Sequence, residues 1–402
     1  MRLHVGDAVD PACAFAGADA IDARGTMNEK ILHLRSSGGF YGAEQVILNL
    51  ARELNALGCT NHVVCFNNTQ NPHLELVEQA TKAHLSAFAI DCRGIIDRRT
   101  INDIREIIRS EDIDVIHGHD YKTRFFGLWA ANGLKVKKIA TNHGWPRPSL
   151  RGRVYETIDG VLFNGFDKVV AVSEFTEKEC RPFVFKKDKL ICIHNGIDPR
   201  AFTLENREER RRSTRAQLGL KDSDLVIGNV GRLSIEKDQA TMLRAFKILT
   251  GLSREKSLKV LFVGDGPEEH SLMEMARELG VYNQCVFAGV RTDIPQVLNC
   301  LDVYVQSSRR EGLPMTILEA MASGIAIVST RAGGIPKVIT DGEQGRLVEI
   351  GNADQLAGVL HDVLSHPAER QKLVRQARLV VEAKFSARAM AEKYLAVYRG
   401  IA

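Results

Sequence analysis

One stretch limits the folds open to this chain: Ser307-Ser308-Arg309-Arg310-Glu311-Gly312-Leu313-Pro314-Met315-Thr316-Ile317-Leu318-Glu319-Ala320-Met321-Ala322-Ser323-Gly324, set between the apolar runs Val303 to Val305 and Ile325 to Val328. Pro314 suits the first turn of a helix, and Gly324 suits the position just past its end. The stretch therefore reads strand, loop, helix, strand. In such a unit a ligand collects beyond the carboxyl end of the strand, against the helix N-terminus, where free amides attract phosphate. Glu311 in the loop and Glu319 in the first turn flank that place. An ionised carboxylate only accepts hydrogen bonds, so the hydroxyls of a ribose or hexose are its natural targets there. Thr316 and Glu319 also fit a capping box, in which Glu319 turns back to the helix start. Spacing alone leaves both readings open.

The full string, Glu-Gly-Leu-Pro followed by Glu-Ala-Met-Ala-Ser-Gly, resembles the donor-site signature of the retaining glycosyltransferase family 4, which has the GT-B fold. That resemblance implies that Glu311 meets a donor sugar and Glu319 a ribose, with Gly312, Leu313, Pro314, Met315 and Thr316 lining the donor site. It spans roughly residues 30 to 400. The fold it implies is α/β, two Rossmann-like doubly wound domains facing each other across a cleft.

Bulk properties agree with a soluble two-domain protein. A chain of 402 residues has room for two domains of ordinary size. Its net charge of +4 is small for that length and implies no global attraction to nucleic acid. No apolar run approaches a transmembrane helix, and the eight cysteines show neither Cys-x-x-Cys nor zinc-finger spacing. Reduced thiols in a cytoplasmic protein are the simplest account. Residues 1–26 lack periodicity and the pattern of a signal peptide, and are expected to be a disordered tail or to precede the true start at Met27.

The expected domains are residues 27–200 on the acceptor side, 201–384 for the nucleotide sugar, and a helix over 385–402 crossing back to the first. In the first, apolar runs at Ile31 to Leu34, Val63 to Phe66, Ala83 to Ala89, Val115 to His117 and Lys138 to Thr141 alternate with helical stretches. Alternation of this kind argues a parallel sheet wrapped by helices. The loop Ser36 to Gly42 follows the first run, and Gly38 and Gly39 there let backbone amides approach a phosphate. Asp112-Ile113-Asp114 mimics a metal-binding Asp-x-Asp but enters a strand at its amino end, and reads as a solvated turn. His117-Gly118-His119-Asp120 is at the carboxyl end, without the further cluster that a closed metal site needs. Thr141-Asn142-His143-Gly144 resembles the family string whose His touches the donor hexose, which makes His143 the candidate of this half.

In the second domain, Arg207 to Arg215 reads as an Arg-rich helix with a solvated face. Arg232 and Lys237 bracket a loop at a strand's carboxyl end. Gly231-Arg232-Leu233 with Glu236-Lys237 resembles the family's diphosphate motif, and Gly289-Val290 the place where the base lies along the backbone. Lys337 stands where the family usually has an acid.

The implied activity is transfer of a hexose-type sugar, with retention, from a UDP- or GDP-sugar to a hydroxyl on a saccharide or lipid-linked acceptor. His143, Glu311, Arg232 and Lys237 form the catalytic set, and no metal is expected. From Tyr121 to Tyr155 eight basic residues and both tryptophans occur without an acid, which suits peripheral contact with an anionic membrane. The alternatives are a metal-dependent hydrolase built on His117, His119 and Asp120, and a nucleotide-sugar-binding module without catalysis.

Overall fold

A computed structural model describes residues 28–400 apart from 37, 69–71, 95, 146–149, 203–204 and 253–256; the side chains of 150–155 stand outside that description as well. The expected tail over 1–26 and the side chains of Arg147, Arg151 and Arg153 therefore lie outside the described residues. Two compact units result, one formed by the chain up to Gly196 together with the segment from Ala387 onward, the other by Ile197–Ser386.

Unit 1 holds seven parallel strands: β1 Lys30–Arg35, β2 Thr60–Asn67, β3 Ser86–Asp91, β4 Val115–Gly118, β5 Lys137–Asn142, β6 Lys168–Ala171 and β7 Leu190–Cys192, in the order β3-β2-β1-β4-β5-β6-β7. A helix carries each crossover, from Gly42–Ala56 after β1 to Glu174–Cys180 after β6. Ser173 caps the latter, accepting from the Thr176 amide at 3.1 Å. Side chains alternate across a strand, so Leu32 and Leu34 join one apolar core with Val64 and Phe66, while His33 faces the opposite side. The helix Ala387–Arg399 packs on Gly42–Ala56 and buries Tyr394 and Tyr398.

Unit 2 holds six parallel strands: β8 Leu225–Val230, β9 Leu258–Val263, β10 Cys285–Phe287, β11 Val303–Gln306, β12 Ala326–Thr330 and β13 Arg346–Val348, in the order β10-β9-β8-β11-β12-β13. Tyr304 enters one core and its neighbours Val303 and Val305 the other. Burial on both faces explains why these strands read as continuous apolar runs. Both units are Rossmann-like, and in each the strand order reverses once beside the first strand, between β1 and β4 and between β8 and β11. Ligands of open parallel sheets bind at such a reversal, beyond the carboxyl ends.

One open alternative closes here, and one expectation is corrected. The helix Met315–Ala322 follows Pro314, which makes no side-chain cap, so Thr316 and Glu319 form no capping box. The Arg-rich helix, Arg207–Gln217, is not merely a solvated face. Arg215 is fully buried and donates to the carbonyls of Cys300, Lys221, Asp222 and Asp224 and to Asp302 Oδ2, all at 2.9–3.0 Å. Arg211 takes the other Asp302 oxygen at 2.8 Å. Two guanidinium forks thus clamp the helix to the amino ends of β8 and β11.

Removing one partner of a buried pair leaves the other uncompensated. Arg215→Met should therefore lower stability by about 3 kcal/mol, whereas Arg212→Met, at an exposed position, should stay within about 0.5 kcal/mol. Urea unfolding midpoints of the two variants check this.

Candidate active site

At the reversal in unit 2, three loops are stitched side by side. Glu311 is buried, and its Oε1 accepts from Lys237 Nζ at 2.7 Å, Gln306 Nε2 at 2.6 Å and Ser308 Oγ at 2.6 Å. Ser307 Oγ donates to the Lys237 carbonyl, and Arg309 pairs with Asp238 at 2.9 Å. On the other side Thr330 Oγ1 donates to the Ser308 carbonyl and the Gly334 amide to the Gly312 carbonyl. A Cβ on Gly333 or Gly334 would overlap the backbone of Glu311 or Gly312, so the glycine pair is there for close approach. Lys237 and Glu311, read as separate contacts to phosphate and sugar, are paired with each other here. Gln306, Ser308 and Asp238 hold the pair in place and were not singled out in the sequence; the signal was a run of polar residues directly after an apolar strand.

The remaining donor-side candidates fall around the same carboxyl edge. Arg232 is exposed, with its carbonyl held by Gln239 Nε2 at 3.0 Å. Gly289 follows β10 with φ 63° and accepts the Gly264 amide at 2.8 Å, leaving Val290 exposed. Leu313 and Pro314 are buried, Gly312, Met315 and Thr316 half-buried, and the Tyr304 hydroxyl donates to Thr316 Oγ1 at 2.9 Å. Glu319 is half-buried one turn further on, and desolvation pushes its carboxyl up to about 7.

At the reversal in unit 1 lies a cavity of ≈ 400 Å³ whose lining includes Arg35, Ser36, His119, Asp120, Arg124 and His143. Arg124 is buried and bidentate to Asp159, with Nε at 2.6 Å. Asp120 caps the helix Tyr121–Ala131 by accepting from the Thr123 amide at 3.0 Å, and also takes the Ser36 amide at 2.7 Å. That second bond anchors the loop carrying Gly38 and Gly39, of which Gly39 has φ 140°.

The histidines expected here belong to a larger set. β1 and β4 pair His33 with His117, and His33, His117 and His119 offer nitrogens within 4.8 Å of one another. Each is already engaged: His33 with Asn61 at 3.0 Å and His119 at 3.1 Å, His117 with Tyr398 and Thr141 at 2.7 Å each, His119 with His143 at 3.1 Å. Asp120 is occupied as a cap. Burial lowers the His33 imidazole to about 4 and those of His117, His119 and His143 well below the ordinary range, so all four are neutral. His143 Nδ1 is enclosed and has no partner; an unmet buried group of this kind costs about 1–3 kcal/mol. The Asp-x-Asp of the sequence is a turn, with Asp112 exposed and Asp114 accepting the Lys30 amide.

Two Rossmann-like units, one with a cation-bearing loop facing a carboxylate at its strand reversal, define the class of GT-B sugar transferases. Residues 210–380 match the family model described as Glycosyl transferases group 1, and residues 40–201 match Glycosyltransferase Family 4. The chain belongs to this glycosyltransferase family and is a transferase enzyme. It is 25% identical to the N-acetyl-alpha-D-glucosaminyl L-malate synthase of Bacillus anthracis, over 75% of this chain and 78% of that protein. It is also 25% identical to the UDP-Gal:alpha-D-GlcNAc-diphosphoundecaprenol alpha-1,3-galactosyltransferase of Escherichia coli, over 67% of this chain and 72% of that one. The crystal structure of Anabaena Alr3699/HepE with UDP and glucose shares the fold, with a TM-score of 0.80 at 20% identity, covering 93% of this chain and 100% of that one.

The raised Glu319 carboxyl has a signed consequence. Its folded value of about 7 exceeds the unfolded value of about 4.3, so between those values the native state binds the extra proton. Stability from this group is full below about pH 4.3 and falls as pH rises toward about 7. Glu319→Gln should remove that decline, and the difference in urea midpoint between parent and variant should grow in the variant's favour from pH 5 to 7.

Proposed function

We propose that the enzyme moves a hexose-type sugar from a UDP- or GDP-sugar to a hydroxyl of a saccharide or lipid-linked acceptor, with retention at the anomeric carbon and without a metal. The observation that carries this reading is the Lys237–Glu311 pair at the β8–β11 reversal. An arriving diphosphate competes for the Lys237 ammonium, and Arg232, exposed on the same loop, adds a second cation. Charge that develops as the nucleotide leaves is met by these two groups. Glu311, relieved of Lys237, keeps Gln306 and Ser308 on one oxygen and turns its acceptor capacity to a hexose hydroxyl. Glu319 takes the ribose, and Gly289 and Val290 lie along the base. Gly38 and Gly39 border the phosphate, and His143 meets the hexose. The leaving phosphate helps deprotonate the acceptor on the same face of the sugar. The names of the E. coli relative and of the Anabaena complexes support a uridine donor and a lipid-linked acceptor for proteins of this kind.

Membrane contact is proposed for the helix Tyr121–Ala131. Arg124 and Phe126 are buried, and Trp145 is half-buried against Phe163 and Phe183, so these three residues of the basic aromatic stretch are engaged within the unit. Among the described residues of the stretch, Tyr121 and Trp129 face outward, 48% and 56% exposed, with Lys135 and Lys137 nearby in sequence. No helix among the described residues is long and apolar enough to cross a membrane.

Transfer assays with UDP-glucose, UDP-galactose and GDP-mannose, run in excess EDTA, test the reaction. Turnover should persist, and Lys237→Ala should cut kcat/KM at least tenfold, since a charge-assisted hydrogen bond is worth about 1.5–3 kcal/mol. A folded Lys237→Ala enzyme with parental kinetics, or activity that returns only with manganese, overturns the reading. Flotation with phosphatidylglycerol vesicles tests the docking: binding should weaken with salt and fall when Trp129 and Lys135 are both changed to Ser. A variant that floats like the parent removes this helix from the interface.

A further inference from the structure

The orientation of one buried amide dictates the protonation pattern of a row of imidazoles ending at the cavity of unit 1. The Asn61 main-chain N–H donates to Asn55 Oδ1 at 3.1 Å, which fixes that atom as oxygen. The Asn61 side-chain atom only 2.6 Å from the same oxygen must then be its NH₂ group. Its other side-chain atom is therefore the carbonyl oxygen, and it lies 3.0 Å from His33 Nε2. An amide oxygen can only accept, so His33 carries its hydrogen on Nε2.

The rest follows link by link. Buried and neutral, His33 has a bare Nδ1, and this atom is 3.1 Å from His119 Nε2, which must donate. His119 then has a bare Nδ1, 3.1 Å from His143 Nε2, which must donate in turn. His143 is left with a bare Nδ1, enclosed and without a partner, on a residue that lines the cavity. Reversing any imidazole in the row would set two lone pairs or two N–H groups against each other.

We propose that Asn61, with Asn55 behind it, is a positioning residue that locks His33, His119 and His143 in the Nε2–H form, so that His143 Nδ1 is solely a hydrogen-bond acceptor for a sugar hydroxyl. This rests on the reading of His143 as a sugar contact and adds the polarity of that contact. A hydroxyl satisfies it by donating; a group without a hydrogen to give, such as an ether or carbonyl oxygen, is repelled. Asn61 touches no ligand and acts through two intervening rings.

Two-bond proton–nitrogen spectra of the full-length protein labelled with ¹⁵N-histidine, recorded at pH 7.5 without substrate, read the tautomers directly. His143→Phe and His33→Phe assign the signals. In the parent, His33, His119 and His143 should each show a protonated Nε2 and a bare Nδ1. Asn55→Asp keeps an acceptor for both Asn61 N–H groups and should leave the pattern intact. Asn61→Leu removes the anchor, and roughly half of His143 should then carry its hydrogen on Nδ1. In the transfer assay Asn61→Leu should lose about twofold in kcat/KM, because about half of the enzyme then holds His143 in the wrong tautomer, while Asn55→Asp stays near the parent. A parental His143 with a protonated Nδ1 overturns the proposal, as does an Asn61→Leu protein whose three rings stay in the Nε2–H form or whose transfer matches the parent. Because the spectra contain no substrate, the tautomer pattern stands or falls whether or not sugar transfer is found.

Discussion

A carboxylate with only 7% of its surface exposed has to be met by donors, and for Glu311 three of them converge on a single oxygen. They come from three places: the loop after β8, the last residue of β11, and the loop that carries Glu311 itself. The geometry of the carboxyl edge of unit 2 depends on that convergence. Once Lys237 is drawn to Glu311, Ser307 and Arg309 can reach Lys237 and Asp238, and the two loops run in register. Gly333 and Gly334 then bring the loop after β12 against the Glu311–Gly312 backbone, where any side chain would collide. Three segments distant in sequence become one surface.

The two strand reversals meet the same problem with opposite chemistry. Both gather polar groups at the carboxyl end of a parallel sheet, where water is excluded. Unit 2 uses charge, a lysine and a carboxylate held as a pair. Around the histidines unit 1 uses neutral groups: His33, His119 and His143 bonded in a row that starts at an amide, and His117 bonded to the hydroxyls of Thr141 and Tyr398, all kept unprotonated by burial. A charged pair can exchange partners with an arriving ion. A neutral row has no partner to exchange, and can offer only its one open lone pair.

Much of this was legible in the sequence, for a physical reason. Strands buried on both faces are short apolar runs, and those of β1, β4, β5, β8, β9 and β11 stand out as such. Glu311, Arg232 and Lys237 lie in loops directly after strands and Glu319 one turn into the helix that follows, and the structure gathers them around one edge. What escaped depends on contacts between segments far apart in the chain. Periodicity makes Arg215 an exposed helix residue, because nothing local announces the Cys300 and Asp222 carbonyls that surround it. His33 lies in an apolar run and reads as a strand residue; only the register that sets it beside His117 shows the cluster. The trace it left was a polar residue in each of four central strands, His33, Asn61, His117 and Thr141. The capping box that the spacing of Thr316 and Glu319 left open does not form, because the helix begins one residue before Thr316, with Pro314 as its cap.

The helix Ala387–Arg399 belongs to unit 1 although all of unit 2 separates it from the rest of that unit. Its Tyr398 supplies the hydroxyl for His117 Nδ1, its Tyr394 reaches Thr141, and its Arg399 pairs with Glu29 beside β1. During synthesis these partners leave the ribosome only after residues 197–386 have done so. The first sheet must wait with His117 and Thr141 bonded to each other but without their tyrosine partners, and with the outer face of Gly42–Ala56 uncovered, while unit 2 is already whole. The unit begun first is thus the one finished last, and a polypeptide released early, even by a dozen residues, would carry a complete unit 2 and an unclosed unit 1.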